Sequence, residues 1–240
     1  MTEEPINTTR TIRAWDLPLR LFHWALAISI AVAFLSSEED SALAAWHMAA
    51  GWTAAVLIAF RLVWGFIGGE HARFASFLRP GRIGAHLREL LGGRPAATVG
   101  HNPLGALAVV GLLGLTAATV FTGAARGEDL HEALAYALLA LVGVHVAAVV
   151  VMSLATRENL VRAMVTGSKP AARHPGAQDA KPPRRAALPV AAAVIALAAV
   201  AVTRVDPNAF RPGVRDEAAG EHHGGDQARG GAEHEEDEDD

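Results

Sequence analysis

Residues Leu130 to Leu154 read LHEALAYALLALVGVHVAAVVVMSL. At a rise of about 1.5 Å per residue, this apolar helix is long enough to cross a hydrocarbon core about 30 Å thick. It carries two histidines, His131 and His145, fourteen positions apart. Fourteen steps of about 100° fall only about 40° short of four full turns, so both rings share one face, separated by roughly 21 Å along the axis. Imidazoles are rare in lipid and mark functional sites there. One on each side of the bilayer centre points to two stacked ligand positions.

The rest of the chain is organised around that helix. Of its 240 residues, 51% are hydrophobic, which together with long uncharged runs places it among membrane proteins. The formal charge of −4 says little about partners, because the charges are segregated along the chain; nucleic acid is not expected. Without cysteine there is no disulfide, no iron–sulfur ligation and no thioether-linked haem. The polar start, MTEEPINTTRTIRAWD, has no small-residue cleavage site and reads as a cytoplasmic arm over residues 1–17.

Four further apolar runs are expected to be helices. The first covers about Pro18 to Ser36, with Pro18 suited to a first turn, and the second about Ala42 to Phe66, closed by Gly68 and Gly69. A polar stretch with Arg73, Arg79, Arg82, Arg88 and Arg94 follows, with one short surface helix at about Ile83 to Leu91. His101-Asn102-Pro103 opens a third span, to about Thr122, and the helix at Leu130–Leu154 is the fourth. Residues 156–185 read as a cytoplasmic linker, residues 186–204 as a fifth transmembrane helix, and 205–240 as a disordered, acidic, His-containing tail. That tail, with His222, His223 and His234, reads as solvated; loose metal binding or docking of a basic periplasmic protein are its other readings. His71, His86 and His174 lie in polar loops and read as solvated. The five tryptophans, Trp15, Trp24, Trp46, Trp52 and Trp64, read as an interfacial belt.

Basic residues set the orientation. Arg10, Arg13 and Arg20 precede the first span, five arginines fill the loop after the second, and seven Lys or Arg lie between 157 and 185. The loops after spans one and three instead carry Glu38, Glu39, Asp40, Glu128 and Asp129. The expected topology is an N-terminus in the cytoplasm and, where the fifth span crosses, an acidic C-terminal tail on the outer side.

On that topology His23 falls near the inner face and His47 near the outer. Depth alone then sorts the histidines into His23 with His145 and His47 with His131. Each has a small neighbour one turn on (Ala27, Gly51, Ala148 and Ala135), leaving room for a flat ligand. Paired imidazoles without carboxylates or thiolates suit a bis-histidine haem better than zinc, which takes three or more protein ligands. Haem propionates need cations or donors. Arg61, fourteen residues after His47 on the same face, is the first candidate, with Arg20 and His101 as further ones; Arg61 could equally snorkel to the membrane surface.

The run Arg13-Ala14-Trp15-Asp16-Leu17-Pro18-Leu19-Arg20-Leu21-Phe22-His23-Trp24 resembles the opening signature of the bacterial cytochrome b561 family, which includes hydrogenase-type cytochrome b subunits. His47 with Gly51, Arg61 and Trp64, Gly100-His101-Asn102-Pro103-Leu104-Gly105, Phe121-Thr122-Gly123, His131-Glu132, His145, and Arg162–Gly167 with Lys169 extend the likeness over about residues 10 to 170. The resemblance implies an all-α four-helix transmembrane bundle at 18–155 holding two haem b, with His23, His47, His131 and His145 as axial ligands. It also implies electron transfer between the quinone pool and a partner, either a periplasmic cytochrome c or a hydrogenase or dehydrogenase subunit. The fifth span and acidic tail depart from the simplest members. A haem-bearing anchor subunit and a histidine-based metal transporter are the rival readings, and a homodimer is left open.

Overall fold

A computed structural model describes residues 10–38, 43–78 and 98–212. The expected surface helix at 83–91, His86, and the tail from 213 with its histidines lie outside the described residues. The described chain is helical apart from one small two-stranded sheet. Strand β1 (Thr11–Arg13) leads into α1 (Leu17–Leu35); α2 (His47–Ile67) follows a 3-10 turn at Ala44–Trp46, and α3 (Phe74–Phe77) is a single turn. Then come α4 (Pro103–Ala124), α5 (Glu128–Thr156), α6 (Leu160–Thr166), β2 (Ser168–Pro170) and α7 (Ala187–Val205). Five helices are long and apolar enough to cross a membrane.

The helix starts follow from their caps. Asp16 accepts the Leu19 N–H at 2.9 Å with Pro18 in the first turn of α1, and Asn102 accepts the Gly105 N–H at 2.6 Å with Pro103 opening α4. Glu128 and Asp129 stand in the first turn of α5, where the positive end of the helix favours acids. α5 stops where Arg157 turns left-handed (φ 51°), and α6 stops at Gly167 (φ 81°). Gly167 has little room for a side chain: a Cβ there would stand 2.8 Å from both the Arg20 guanidinium and the Trp15 carbonyl.

α1 packs along α2, and α4 packs along α5. The two hairpins meet chiefly through α2 and α4, and α7 lies along α2. α2 is therefore the central helix, and its small residues Ala49, Ala50 and Ala54 allow that close approach. By contrast α5, the histidine-bearing helix, buries only Leu138. α7 is fastened at its C-terminal end, where Trp52 donates to Asp206 at 3.0 Å and Val202 and Ala209 pack on Val56. The start of the tail thus folds back onto α2.

The arginine-bearing end of the bundle is built differently from expectation. The segment 156–185 holds α6, β2 and a 3-10 turn at Ala171–Arg173. β2 pairs antiparallel with β1, Ile12 opposite Lys169. The Gly167 carbonyl accepts the Ala14 and Trp15 N–H groups at 2.8 and 3.0 Å, and Ala180 N–H donates to the Arg13 carbonyl at 2.8 Å. Under this sheet Glu158 accepts from Lys169 at 3.1 Å and pairs with His174 at 2.8 Å, each side chain no more than 4% exposed. Lys169 also donates to the Thr98 carbonyl at 2.8 Å. His174 is therefore a buried partner of Glu158 rather than a solvated loop residue. Charge segregation along the sequence concealed this, because the three residues meet only after the segment folds back.

Candidate haem-binding site

His47 is the first residue of α2 and His131 lies in the first turn of α5, so both stand at the acidic end of the bundle. Their rings face each other with centroids 6.0 Å apart and planes 79° apart. Two imidazoles bound through nitrogen to one metal between them, each bond about 2 Å, place their centroids roughly 6 Å apart. His47 Nδ1 lies 2.8 Å from the Ala33 carbonyl, and His131 Nδ1 lies 2.8 Å from the Thr119 carbonyl. A carbonyl only accepts, so in both rings Nδ1 carries the hydrogen. Each Nε2 is then left with a lone pair, the arrangement that orients a histidine toward a metal.

Two glycines shape this pair. A Cβ on Gly123 would stand 2.9 Å from His131 Cε1 and Nδ1, so the ring's seat requires glycine there. Gly51, one turn beyond His47 on the same face, would meet no atom within 4 Å if it carried a Cβ. Free space beside a ligand-type histidine is what a flat macrocycle needs.

His23 lies on α1 and His145 deeper along α5, both nearer the arginine-bearing end. The surroundings of this second pair hold the polar atoms that the protein leaves unsatisfied. His23 Nδ1, His101 Nδ1 and both terminal nitrogens of Arg61 are buried without a hydrogen-bond partner among the described residues. Buried donors are satisfied in nine native cases of ten or more, so three such side chains at one end point to an absent acceptor. Arg61 is 2% exposed and does not snorkel; its guanidinium lies 4.6 Å over the Phe74 ring. His101 is held between Trp15 and Phe77, at ring separations of 4.7 and 4.6 Å. Burial pushes it down to about 3, helped by the charges of Arg61, His71, Lys169 and His145. His101 is a neutral donor at any physiological pH. The chemistry of these groups fits haem: paired imidazole nitrogens for iron, and buried N–H donors for propionates.

Arg20 is placed elsewhere. Its Nε donates to the Met164 carbonyl at 3.3 Å and its terminal nitrogen to the Val165 carbonyl, so it caps the last turn of α6. The tryptophans divide as well. Trp24 and Trp46 are exposed, as a belt requires, whereas Trp64 is fully buried and Trp15 nearly so. Trp64 stacks on Phe60 and donates to Asp16. Asp16 is the residue that sequence reasoning passed over, although an acid two positions before Pro18 is a legible cap.

Among the described residues no three His, Cys, Asp or Glu side chains converge to hold a metal ion. No solved structure matches the chain. It is similar to proteins named probable Ni/Fe-hydrogenase B-type cytochrome subunit. Those of Azotobacter vinelandii and Azotobacter chroococcum mcd 1 are each 31% identical over 133 residues, covering 45% of this chain and 55% of theirs. That of Bradyrhizobium diazoefficiens is 24% identical over 212 residues, covering 66% and 86%. The chain thus spans about half the length of the two Azotobacter relatives. The family model for prokaryotic cytochrome b561 matches residues 14–167, the region that contains both histidine pairs. The chain belongs to the prokaryotic cytochrome b561 family.

Proposed function

We propose that this chain is a di-haem b-type membrane cytochrome that passes electrons between the quinone pool and a redox partner protein. The observation that carries the reading is the His47–His131 pair, spaced for one iron and with both Nδ1 atoms committed to backbone carbonyls. The inner pair is His23 with His145. Haem b supplies a one-electron iron couple when bound. The protein's residues do the rest. His47 and His131 hold their rings on helix-borne carbonyls, so little moves when the iron changes charge. Arg61 and His101 supply donors to the inner propionates; Arg20 is engaged as a helix cap and leaves that role. An iron held by two histidines of a pair would keep no open position for oxygen.

The haem domain in this reading is residues 18–155, and residues 10–17 with 156–185 form its cytoplasmic cap. Residues 186–204 are the fifth span, and the tail lies in the periplasm of the bacterial inner membrane. The named relatives favour a Ni/Fe-hydrogenase as partner, with this subunit also serving as its anchor. A periplasmic cytochrome c or another dehydrogenase would use the same acidic-end site. The purified protein is expected to show sharp reduced b-type bands and two haems per chain. A colourless protein would return the histidines to a transport role. Co-purification with a stoichiometric catalytic subunit distinguishes the anchor from a free-standing carrier.

A further inference from the structure

His71 follows α2 at the arginine-bearing end and stands between water and the inner site. One side of it lines a cleft of about 250 Å³ with Glu70, Val99, Asp179 and Lys181. Its other side packs against Gly100, where a Cβ would stand 2.9 Å from His71 Nδ1, and edge-on against Trp15 at 6.2 Å. Gly100 adjoins His101, and Trp15 is also the ring that holds His101. A half-buried imidazole in a water-accessible cleft is thus one residue from the buried donors of the inner pair.

An electron arriving in a buried, low-dielectric site raises the proton affinity of nearby groups, most in those that exchange protons with solvent. Around His71, Lys169 and Lys181 are cations. Glu70 accepts the Lys181 N–H at 2.9 Å, and this hydrogen bond holds its carboxyl below the usual value. Asp179 accepts the Arg13 N–H at 2.7 Å, and Asp16 is filled by Leu19, Trp64 and Gly69. His174 is closed off by Glu158, and His101 is sealed between two rings. His71 itself is held below its ordinary value by burial, with Glu70 acting upward and Lys169 downward. It rests neutral at pH 7 and has a lone pair to offer.

We propose that His71 is the proton-exchanging group of the inner site, taking a proton from cleft water when an electron reaches the inner haem and releasing it when the electron leaves. The inference rests on the di-haem reading above. Each cycle forms and breaks one N–H bond on His71 for each electron; the electron comes from the reduced partner protein or quinol, and the proton from water at the arginine-bearing end. His71 is a positioning residue for charge, with no contact to the iron required.

The test is a mediated reductive titration of the purified full-length protein between pH 6 and 8.5, with dithionite as reductant. The inner haem is identified as the component lost in H145A. In the wild type, its reduction equilibrium is expected to weaken at least threefold per pH unit, about 28 mV at one electron. H71Q and H71F, with haem content and spectrum unchanged, should reduce that dependence below 1.5-fold per unit. A wild-type potential independent of pH, or a slope retained in both variants, overturns the proposal alone. A protein in which H145A removes no haem overturns the inner site and this inference together.

Discussion

Trp64 donates its indole N–H to both carboxylate oxygens of Asp16 at 3.2 Å, joining residues 48 positions apart in sequence. The same carboxylate accepts from the Leu19 and Gly69 backbones at 2.9 Å each. One acid therefore caps α1, finishes α2 and fixes the crossing of the two helices that carry His23 and His47. Gly69 has no alternative here, since a Cβ would stand 2.5 Å from the Asp16 oxygen.

Replacing Asp16 by alanine is expected to destabilise the protein by about 2–4 kcal/mol, from a lost cap and a buried indole N–H left without an acceptor. D16N keeps one acceptor oxygen and should lose about half as much. Thermal release of haem from the detergent-solubilised protein reads the difference. Equal midpoints for D16A and wild type would dismiss the network as incidental.

Gly123→Ala should remove the outer haem and spare the inner one. The added methyl carbon falls 2.9 Å from the His131 ring, inside the closest distance that two carbons tolerate. Haem per chain should fall from two to about one, with the remaining centre still lost in H145A. Gly114→Ala, where a Cβ meets nothing within 4 Å, is the control and should retain both. Loss of both haems in G123A would mean that the two sites are not separable.

Arg61→Gln should lower the inner haem's potential while Arg61→Lys largely retains it. A cation stabilises the state with one more electron, so its removal favours the oxidised form. For a partly screened charge at haem distance the change is of the order of 50 mV. Potentiometric titration of the two components decides; a shift confined to the outer component would move Arg61 to the other site.

The spans and the histidine positions along them are features of local sequence, because hydropathy and helical period act within one segment. The charge-bearing cap was less legible. Glu158, Lys169 and His174 are polar residues in a stretch rich in proline and arginine, and polar composition there reads as solvation. What buries them is the pairing of β1 with β2, Ile12 opposite Lys169, which no local pattern announces. Arg20 was hard to place for the same reason. Its position one turn before His23 suggested a propionate, while its partners, the carbonyls of Met164 and Val165, lie more than 140 residues on. Gly123 was visible only as part of the Phe121-Thr122-Gly123 motif, and its reason is the His131 ring on the next helix.

Acid should destabilise the protein through His101. Its native value is pushed down to about 3 by burial first and by Arg61, His71, Lys169 and His145 after it, from an ordinary 6.5. Between those values the unfolded chain binds a proton that the native ring refuses, so stability falls as pH drops below about 6.5 and stops falling near 3. At pH 5 this amounts to about 2 kcal/mol relative to pH 7. His101→Phe keeps an aromatic ring between Trp15 and Phe77 and has nothing to protonate. Denaturant midpoints at pH 7 and pH 5 should therefore separate less in H101F than in wild type. An equal separation would place the acid sensitivity in another group, with His71, also held below its ordinary value by burial, the next candidate; Glu70, its carboxyl held below 4.5 by the Lys181 N–H, loses its contribution only below the tested range.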